Sequence, residues 1–272
     1  GEIGKHPELA SLIARETEGN TFFIVEVVRS LAEDAGSLDQ IRVRNLPTTI
    51  FPQGMQALIH RRLHRVPEKY QPLLPQAAIG GKLVDPAIIE RLAPTTINTR
   101  TWLHDCSHVA VLELRDGQWQ FAHDKLREEV IAQIEPTEKR QLFHQIAETV
   151  EIVYPHDNSR AEILLGYWRA AQEPAKALPH LLFVARERVE LGINYQETRE
   201  LLLEGLTWSR TQPDSNQQQS ALLKRLGDIH LRQGDYPAAQ LHYNESLHLA
   251  EQTDDPLLRS NALHGLGMIA WR

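Results

Sequence analysis

A forty-residue echo near the C-terminus constrains the fold more than any other feature of this chain. Leu223, Leu226, Gly227 and Ile229 recur as Leu263, Leu266, Gly267 and Ile269, each 40 residues further on. Within each set the apolar residues fall at helical spacing. A fixed period of about 34 to 45 residues is the mark of stacked helical hairpins, because one hairpin cannot bury its own apolar face and needs its neighbours. Gly227 and Gly267 predict places where helices approach closely. Gly234-Asp235-Tyr236 reads as the turn within the unit, and Ala239, Tyr243 and Leu247 as its second helix. Leu165-Gly166 with Pro174, Ala177 and Leu181 forms a weaker copy upstream, and Tyr195, Leu201 and Leu202 belong to another. The Gln-, Asn- and Ser-rich run from Gln212 to Ser220 reads as an exposed loop between helices. The expectation for residues 137–272 is an α-solenoid.

Two further regions precede it. Over residues 1–48, Leu9, Leu12 and Ile13, then Phe22, Phe23, Val27, Val28 and Leu31, keep helical spacing. Gly19-Asn20 interrupts the pattern, Gly36 ends it, and Asn45-Leu46-Pro47 reads as a linker. This predicts a small helical lid of two helices. Residues 49–136 carry four short helical patterns: Gly54 to His64, closed by Pro67; Leu73 to Ile79, stopped by Gly80-Gly81; Ile88, Ile89 and Leu92 after Pro86; and one around Trp102 and Leu103. The period then becomes alternating on either side of Arg115-Asp116-Gly117-Gln118, where Asp-Gly is a strong hairpin signal. A last helix from about Asp124 to Ile134 completes a winged-helix plan with one β-hairpin. The fold class is therefore mainly α.

Composition excludes some roles. The chain carries 29 Lys and Arg against 36 Asp and Glu, a net charge of −7, so a generally basic nucleic-acid footprint is absent. Residues 51–100 are an exception, with seven basic and three acidic groups. Arg61, Arg62, Arg65 and Lys69 supply most of that excess, as a solvated helix face or as a patch facing phosphate or a partner. No apolar run approaches the ~20 residues that span a bilayer, and no signal peptide is evident. Cys106 is the only cysteine, which rules out an intrachain disulfide and accords with a reducing, cytoplasmic setting.

Specific stretches resemble known families. Leu223-x-x-Leu226-Gly227-x-x-His230, followed by Ala239-x-x-x-Tyr243, resembles the tetratricopeptide repeat, with His230 where an aromatic is usual and a longer spacing. The front half resembles the region after the ATPase core of STAND-type signal-transduction ATPases. Glu18 to Glu26 looks like their Gly-Asn-Pro-Phe-Phe lid motif, with Thr21 in place of proline. Leu46 to Ile50, Arg62-Leu63-x-x-Val66-Pro67 and Ala77 to Gly81 look like the start of their winged helix. Phe121-Ala122-His123-Asp124 looks like their phenylalanine-x-histidine-aspartate motif. The resemblance implies that the chain is a segment of a longer protein, whose ATPase core lies upstream of Gly1 and contacts this part intramolecularly. It also implies ATP or ADP for that parent protein and a kinase, cyclase or transcription-regulator module fused to it. His123 would then sense a nucleotide phosphate; the alternative is that its imidazole caps the last helix of the winged fold.

Chemistry of the chain's own is not evident. A phosphate-binding loop needs glycines, a lysine and a Ser or Thr hydroxyl. Gly1-Glu2-Ile3-Gly4-Lys5-His6 places His6 where that hydroxyl belongs. We therefore expect no catalysis and no cofactor in this segment. His60 and His64 are four apart, but Arg61 stands where a zinc protease has glutamate, and two arginines would repel a cation. His104, Cys106 and His108 would share a face only in an extended stretch, and this one reads as helix. Asn20 reads as a turn former or a lid residue beside nucleotide, and Glu26 as a surface charge or an interdomain ion pair. For the repeats the expected ligand is a protein or peptide, with His230, Tyr236, Tyr243 and Asn244 lining the groove or packing between hairpins. The competing reading is a transcriptional regulator that binds DNA through the winged helix and its basic cluster.

Overall fold

The computed structural model describes residues 7–17, 24, 25, 27, 28, 54–253 and 255–271. The lid motif at 18–23 and Glu26, the linker at 45–47, Leu46 to Ile50 and the Gly1 to His6 stretch lie outside them. Thirteen α-helices among the described residues dominate, with one small sheet. The chain divides into two compact units, Gly1–Glu135 and Pro136–Arg272.

In the first unit, α1 covers Pro7–Thr17 and α2 covers Gly54–His64. A 3-10 turn, Glu68–Tyr70, leads into α3, Leu73–Gly80. Strand β1, Leu83–Val84, precedes α4, Pro86–Leu92, and α5, Thr99–His108. Strands β2, Leu112–Arg115, and β3, Gln118–Phe121, form the expected hairpin, and α6, Asp124–Ala132, follows. Asp116 and Gly117 take φ of 51° and 77°, the paired left-handed conformations of a two-residue hairpin turn. The helix starts are set locally: Asp85 accepts from the Ala87 amide at 3.0 Å, with Pro86 in the first turn, and Asn98 accepts from the Thr101 amide at 3.0 Å.

The sheet has three strands, in the order β1-β3-β2, all antiparallel. The sequence shows only two of them, because β1 is two residues long and has no alternation to detect. Leu83 and Val84 pair with Gln120 and Trp119. One continuous core fills the unit, from Ile59 and Leu63 through Leu73, Leu74, Ala77 and Ala78 to Trp102, Phe121 and Leu126. Two side-chain donors tie its elements together. Trp102 Nε1 donates to the Tyr70 carbonyl at 3.3 Å, and Arg127 Nε donates to the Ala78 carbonyl at 2.7 Å, satisfying an acceptor near the end of α3.

The second unit is helical throughout. It comprises α7, Pro136–Val153; α8, Ala161–Ala170; α9, Pro174–Leu191; α10, Tyr195–Arg210; α11, Asn216–Gln233; α12, Tyr236–Glu251; and α13, Pro256–Ala270. Each helix packs on the next, and short connections reverse the chain between them. Gly192 and Gly234 end α9 and α11 with φ of 72° and 80°, the left-handed helix stop that glycine adopts without strain. Helices α9 and α11, and α11 and α13, also pack directly on one another, whereas α8, α10 and α12 make no comparable contact among themselves.

Close approach is built with small residues at two points. A Cβ on Gly205 would lie 3.1 Å from both Leu181 and Leu222, so α10 nests between α9 and α11. A Cβ on Gly227 would lie 2.6 Å from the Tyr243 ring, and one on Gly265 would lie 2.5 Å from the same ring. Tyr243 is thus gripped from both sides. Gly267, expected to make such a contact, faces nothing within 4 Å, and Gly265 does so instead. The Gln212–Ser220 run also departs from expectation. Helix α11 begins at Asn216, and Ser220 is fully buried. Its hydroxyl donates to the Ser246 carbonyl at 2.9 Å while Ser246 donates to the Ser220 carbonyl at 2.8 Å, so a polar composition concealed a buried helix contact.

Candidate functional site

His123 stands at the junction of β3 and α6. Its extended backbone ends the strand, and its side chain caps the helix: Nδ1 accepts from the Lys125 amide at 3.1 Å. An accepting Nδ1 places the ring hydrogen on Nε2 in the neutral tautomer. Burial holds the imidazole below the ordinary histidine pKa, against the opposing pull of Asp124 and Glu128. A neutral ring is what the cap requires, because a protonated Nδ1 cannot accept. Asp124, exposed in the first turn of α6, suits the positive helix end and pairs with Lys82 at 3.3 Å.

The basic cluster of the first unit is not one surface. Arg62 is 5% exposed, and its Nη1 donates to the Ala110 carbonyl at 3.0 Å, while Arg61, Arg65 and Lys69 are exposed. Burial first, then Arg65, lowers the Arg62 pKa to about 10. The guanidinium is a clasp between α2 and the approach to β2, where Ala110 holds φ of 53°. His60 meets Glu129 of α6 at 3.1 Å and Gln133, just past the end of α6, at 3.3 Å, so both its nitrogens are occupied. Cys106 is fully buried in α5, away from His104 and His108, and burial pushes its thiol up to about 12. It is a packing group. Among the described residues no cluster of His, Cys, Asp or Glu fits a metal ion.

Among the described residues, a connected polar network spans α7, α8 and α9 in the second unit. Glu148 takes Lys176 at 2.8 Å and His144 at 3.1 Å. Glu151 takes His180 at 3.0 Å and the Trp168 indole N–H at 3.1 Å. Lys176 also sits 4.4 Å above the Trp168 ring, and His144 meets that ring edge-on. The Lys176 hydrogen bond holds the Glu148 carboxyl below its usual range. Trp168 itself is fully buried, so the network is anchored to the core of the helical pairs. Two open recesses flank it. One of about 460 Å³ is lined by Arg140, Gln141, His144 and Glu173. The other, about 650 Å³, lies between α8 and α10, where Arg169 pairs with Glu204 at 2.8 Å beside Trp208. Both are open and of mixed polar and apolar lining, unlike the enclosed, mostly apolar pockets that hold small molecules.

The four residues expected to line the repeat groove do not form one surface. Tyr243 is fully buried: its hydroxyl donates to Asp228 at 2.8 Å, and burial, then Asp228, raises its pKa. It is corrected to a packing residue. His230 is largely covered, stacks on His242 at 5.3 Å and meets Asp235 at 3.5 Å. Tyr236 is half-buried in the first turn of α12, and Asn244 is exposed on α12. The sequence did not reveal Trp168, Glu148, Glu151, Lys176 and His180 as a network. Their partners lie 17 to 29 residues apart on different helices, and only the helix packing aligns them. No protein-family model matches the chain, and no curated protein or solved structure shows significant similarity to it.

Proposed function

We propose that this chain is a non-catalytic protein-interaction and regulatory module. It joins a winged-helix unit to a stack of helical pairs that holds a protein or peptide ligand. The observation that carries this reading is the row formed by α9, α11 and α13. Helices in mutual contact lie on the inner side of a curved stack, and the splayed row α8, α10 and α12 lies outside. Such stacks offer a concave surface suited to an extended peptide or a partner helix. The Glu148–Lys176 and Glu151–His180 bridges tie α7 to α9, the first helix of that row. On this reading Asn244 belongs to the outer row.

The order α3-β1-α4-α5-β2-β3, with β1 beside β3, supports a winged helix for the first unit. We read the motif resemblance as support for both units lying downstream of an ATPase core in a STAND-type signalling protein, with residues 1–48 as the lid, a cytoplasmic setting and ATP or ADP bound by that core. In that setting His123 reports nucleotide state. A hydrogen bond to a charged phosphate contributes roughly 1.5–3 kcal/mol, less than the ~5.5 kcal/mol that reverses a two-state equilibrium. His123 would therefore act together with contacts from the core. The substitution His123→Asn keeps an N-cap acceptor while removing the imidazole. In the parent protein it is expected to change basal activation; unchanged nucleotide affinity and activation would remove the sensor role.

DNA binding is less well supported. The exposed positions on α5, the helix that would enter a groove, include one cation, Arg100, with the half-buried Asp105 beside them. Arg62 is engaged internally. The test of the leading reading is selection of peptides from a displayed library on the purified chain. Charge reversal at Lys176 on the inner row is expected to abolish binding of the selected peptides, and the same change at Arg169 on the outer row to leave it intact. The reverse pattern would refute the assignment. The purified chain is also expected to show no ATP hydrolysis.

A further inference from the structure

Charge is divided unevenly between the two rows of the helical stack. Helices α9, α11 and α13 carry seven Lys and Arg against three Asp and Glu, whereas α8, α10 and α12 carry three against six. On α9 the cations are answered on the spot. Lys176 pairs with Glu148 at 2.8 Å, Arg186 with Glu187 at 3.3 Å and Glu190 at 3.8 Å, and Arg188 turns to Glu162 of α8. Helix α11 is different. Asp228 is its only carboxylate, and it serves three donors. Its Oδ2 takes Lys224 at 2.8 Å and Arg225 at 3.1 Å, and its Oδ1 takes the Tyr243 hydroxyl at 2.8 Å. Burial, then Asp228, raises the Tyr243 pKa, and Arg225 and Arg232 both act against that rise, so both guanidinium groups stand near the hydroxyl. One carboxylate thus serves a group of three cations.

Arg225, Asp228 and Arg232 recur at helical spacing and make one stripe. Its direction follows from the contacts of α11. Leu222 meets Gly205 of α10, and Gly227 meets Tyr243 of α12. At about 3.6 residues per turn, the stripe lies opposite the sector between those contacts, on the side turned away from the outer row. We infer, resting on the inner-row reading of the proposed function, that the ligand is an acidic peptide whose Asp and Glu side chains pair with Arg225 and Arg232. A carboxylate arriving there meets a surplus of two positive charges. Arg225 is half-buried and already held by Asp228, so it is oriented before the ligand comes. The outer row, with its excess of carboxylates, repels the same peptide and so adds discrimination. A nucleic acid fits less well: the stripe has no aromatic ring on which a base could stack, and the chain carries a net charge of −7.

The probes are peptides selected from a random displayed library on the full chain at low salt, then labelled with fluorescein and titrated by anisotropy. They are expected to carry net negative charge and to bind about tenfold more weakly when salt is raised from about 0.05 M to about 0.3 M. Exposed Arg232, changed to Glu, should weaken binding about tenfold, while Arg210→Glu on the outer row should leave it within about twofold. Asp228→Asn removes the competing carboxylate and should tighten binding about threefold, whereas a merely structural role would make it weaken. Circular dichroism should show the variants folded. Selected peptides that crosslink to the inner row at Phe183 yet carry no net negative charge overturn the acidic assignment and leave the inner-row reading standing. So do acidic peptides indifferent to both Arg232→Glu and Arg210→Glu. Binding lost with Arg210→Glu but not with Arg232→Glu overturns the inner-row reading and the acidic assignment together, as does failure to select any peptide. A single-stranded oligonucleotide that displaces the peptides at lower concentration than unlabelled peptide assigns the stripe to nucleic acid and overturns the proposal.

Discussion

Two glycines forty residues apart should respond to the same substitution with opposite signs. In Gly227→Ala, the new methyl would lie 2.6, 2.7 and 3.0 Å from three atoms of the Tyr243 ring, too close for any real contact. The ring cannot retreat, because Gly265 already presses on it from α13. Nor can it tilt freely, because its hydroxyl is tied to Asp228 at 2.8 Å. Overpacking of this kind costs about 1–3 kcal/mol, and a weakened hydrogen bond to a carboxylate adds up to about 1.5–3 kcal/mol. Against this, alanine improves the helix by roughly 0.8–1.0 kcal/mol. The balance is a loss of about 2–3 kcal/mol, and at most about 5 kcal/mol. In Gly267→Ala the methyl meets nothing, so only the helix gain of ~0.5–1 kcal/mol remains. Urea denaturation followed at 222 nm would measure both. Equal shifts of the midpoint, or a stabilised Gly227→Ala, would refute the packing assigned to Tyr243.

Three further outcomes follow from the same geometry. Arg62→Ala should destabilise the first unit by about 2–3 kcal/mol through loss of the buried clasp to Ala110, while exposed Arg61→Ala stays within about 0.5 kcal/mol. His123 and His242 are both held below the ordinary value of 6.5, the latter by burial and then by His230. The unfolded chain therefore takes up protons at a pH where the folded chain does not. Stability should be full above that value and fall as pH drops below it, and the double substitution His123→Asn, His242→Gln should flatten that fall in thermal melts. Cys106, buried with its thiol raised to about 12, should resist iodoacetamide in the native chain at pH 8 and react promptly in denaturant.

The helices of the described residues were legible where apolar spacing, proline and caps agreed. Gly54–His64, Pro86–Leu92 and the Asp116-Gly117 hairpin stand where periodicity and turn chemistry place them. The failures share one cause. Strand β1 is too short to carry a pattern and exists because β3 offers it an edge. The Gln212–Ser220 stretch reads as a loop by composition, yet its serine finds a partner on α12 that only the tertiary fold supplies. Gly267 repeats Gly227 in sequence but lacks a helix to face, while Gly265 meets the tyrosine ring. His123 was legible as a helix cap from its position before Asp124. The Glu148, Glu151, Lys176, His180 and Trp168 network was not, because its members meet only across helix pairs.

The central claim is that ligand is held on the inner row of the helical stack. Photocrosslinking tests it most directly. Benzoylphenylalanine would be placed singly at Lys176 and Phe183 on α9, and at Ile163, Leu203 and Leu241, which are exposed on α8, α10 and α12. After irradiation with a peptide selected on the chain, the account predicts crosslinks from the α9 positions and none from the outer three. Crosslinks confined to Ile163, Leu203 or Leu241 would contradict it.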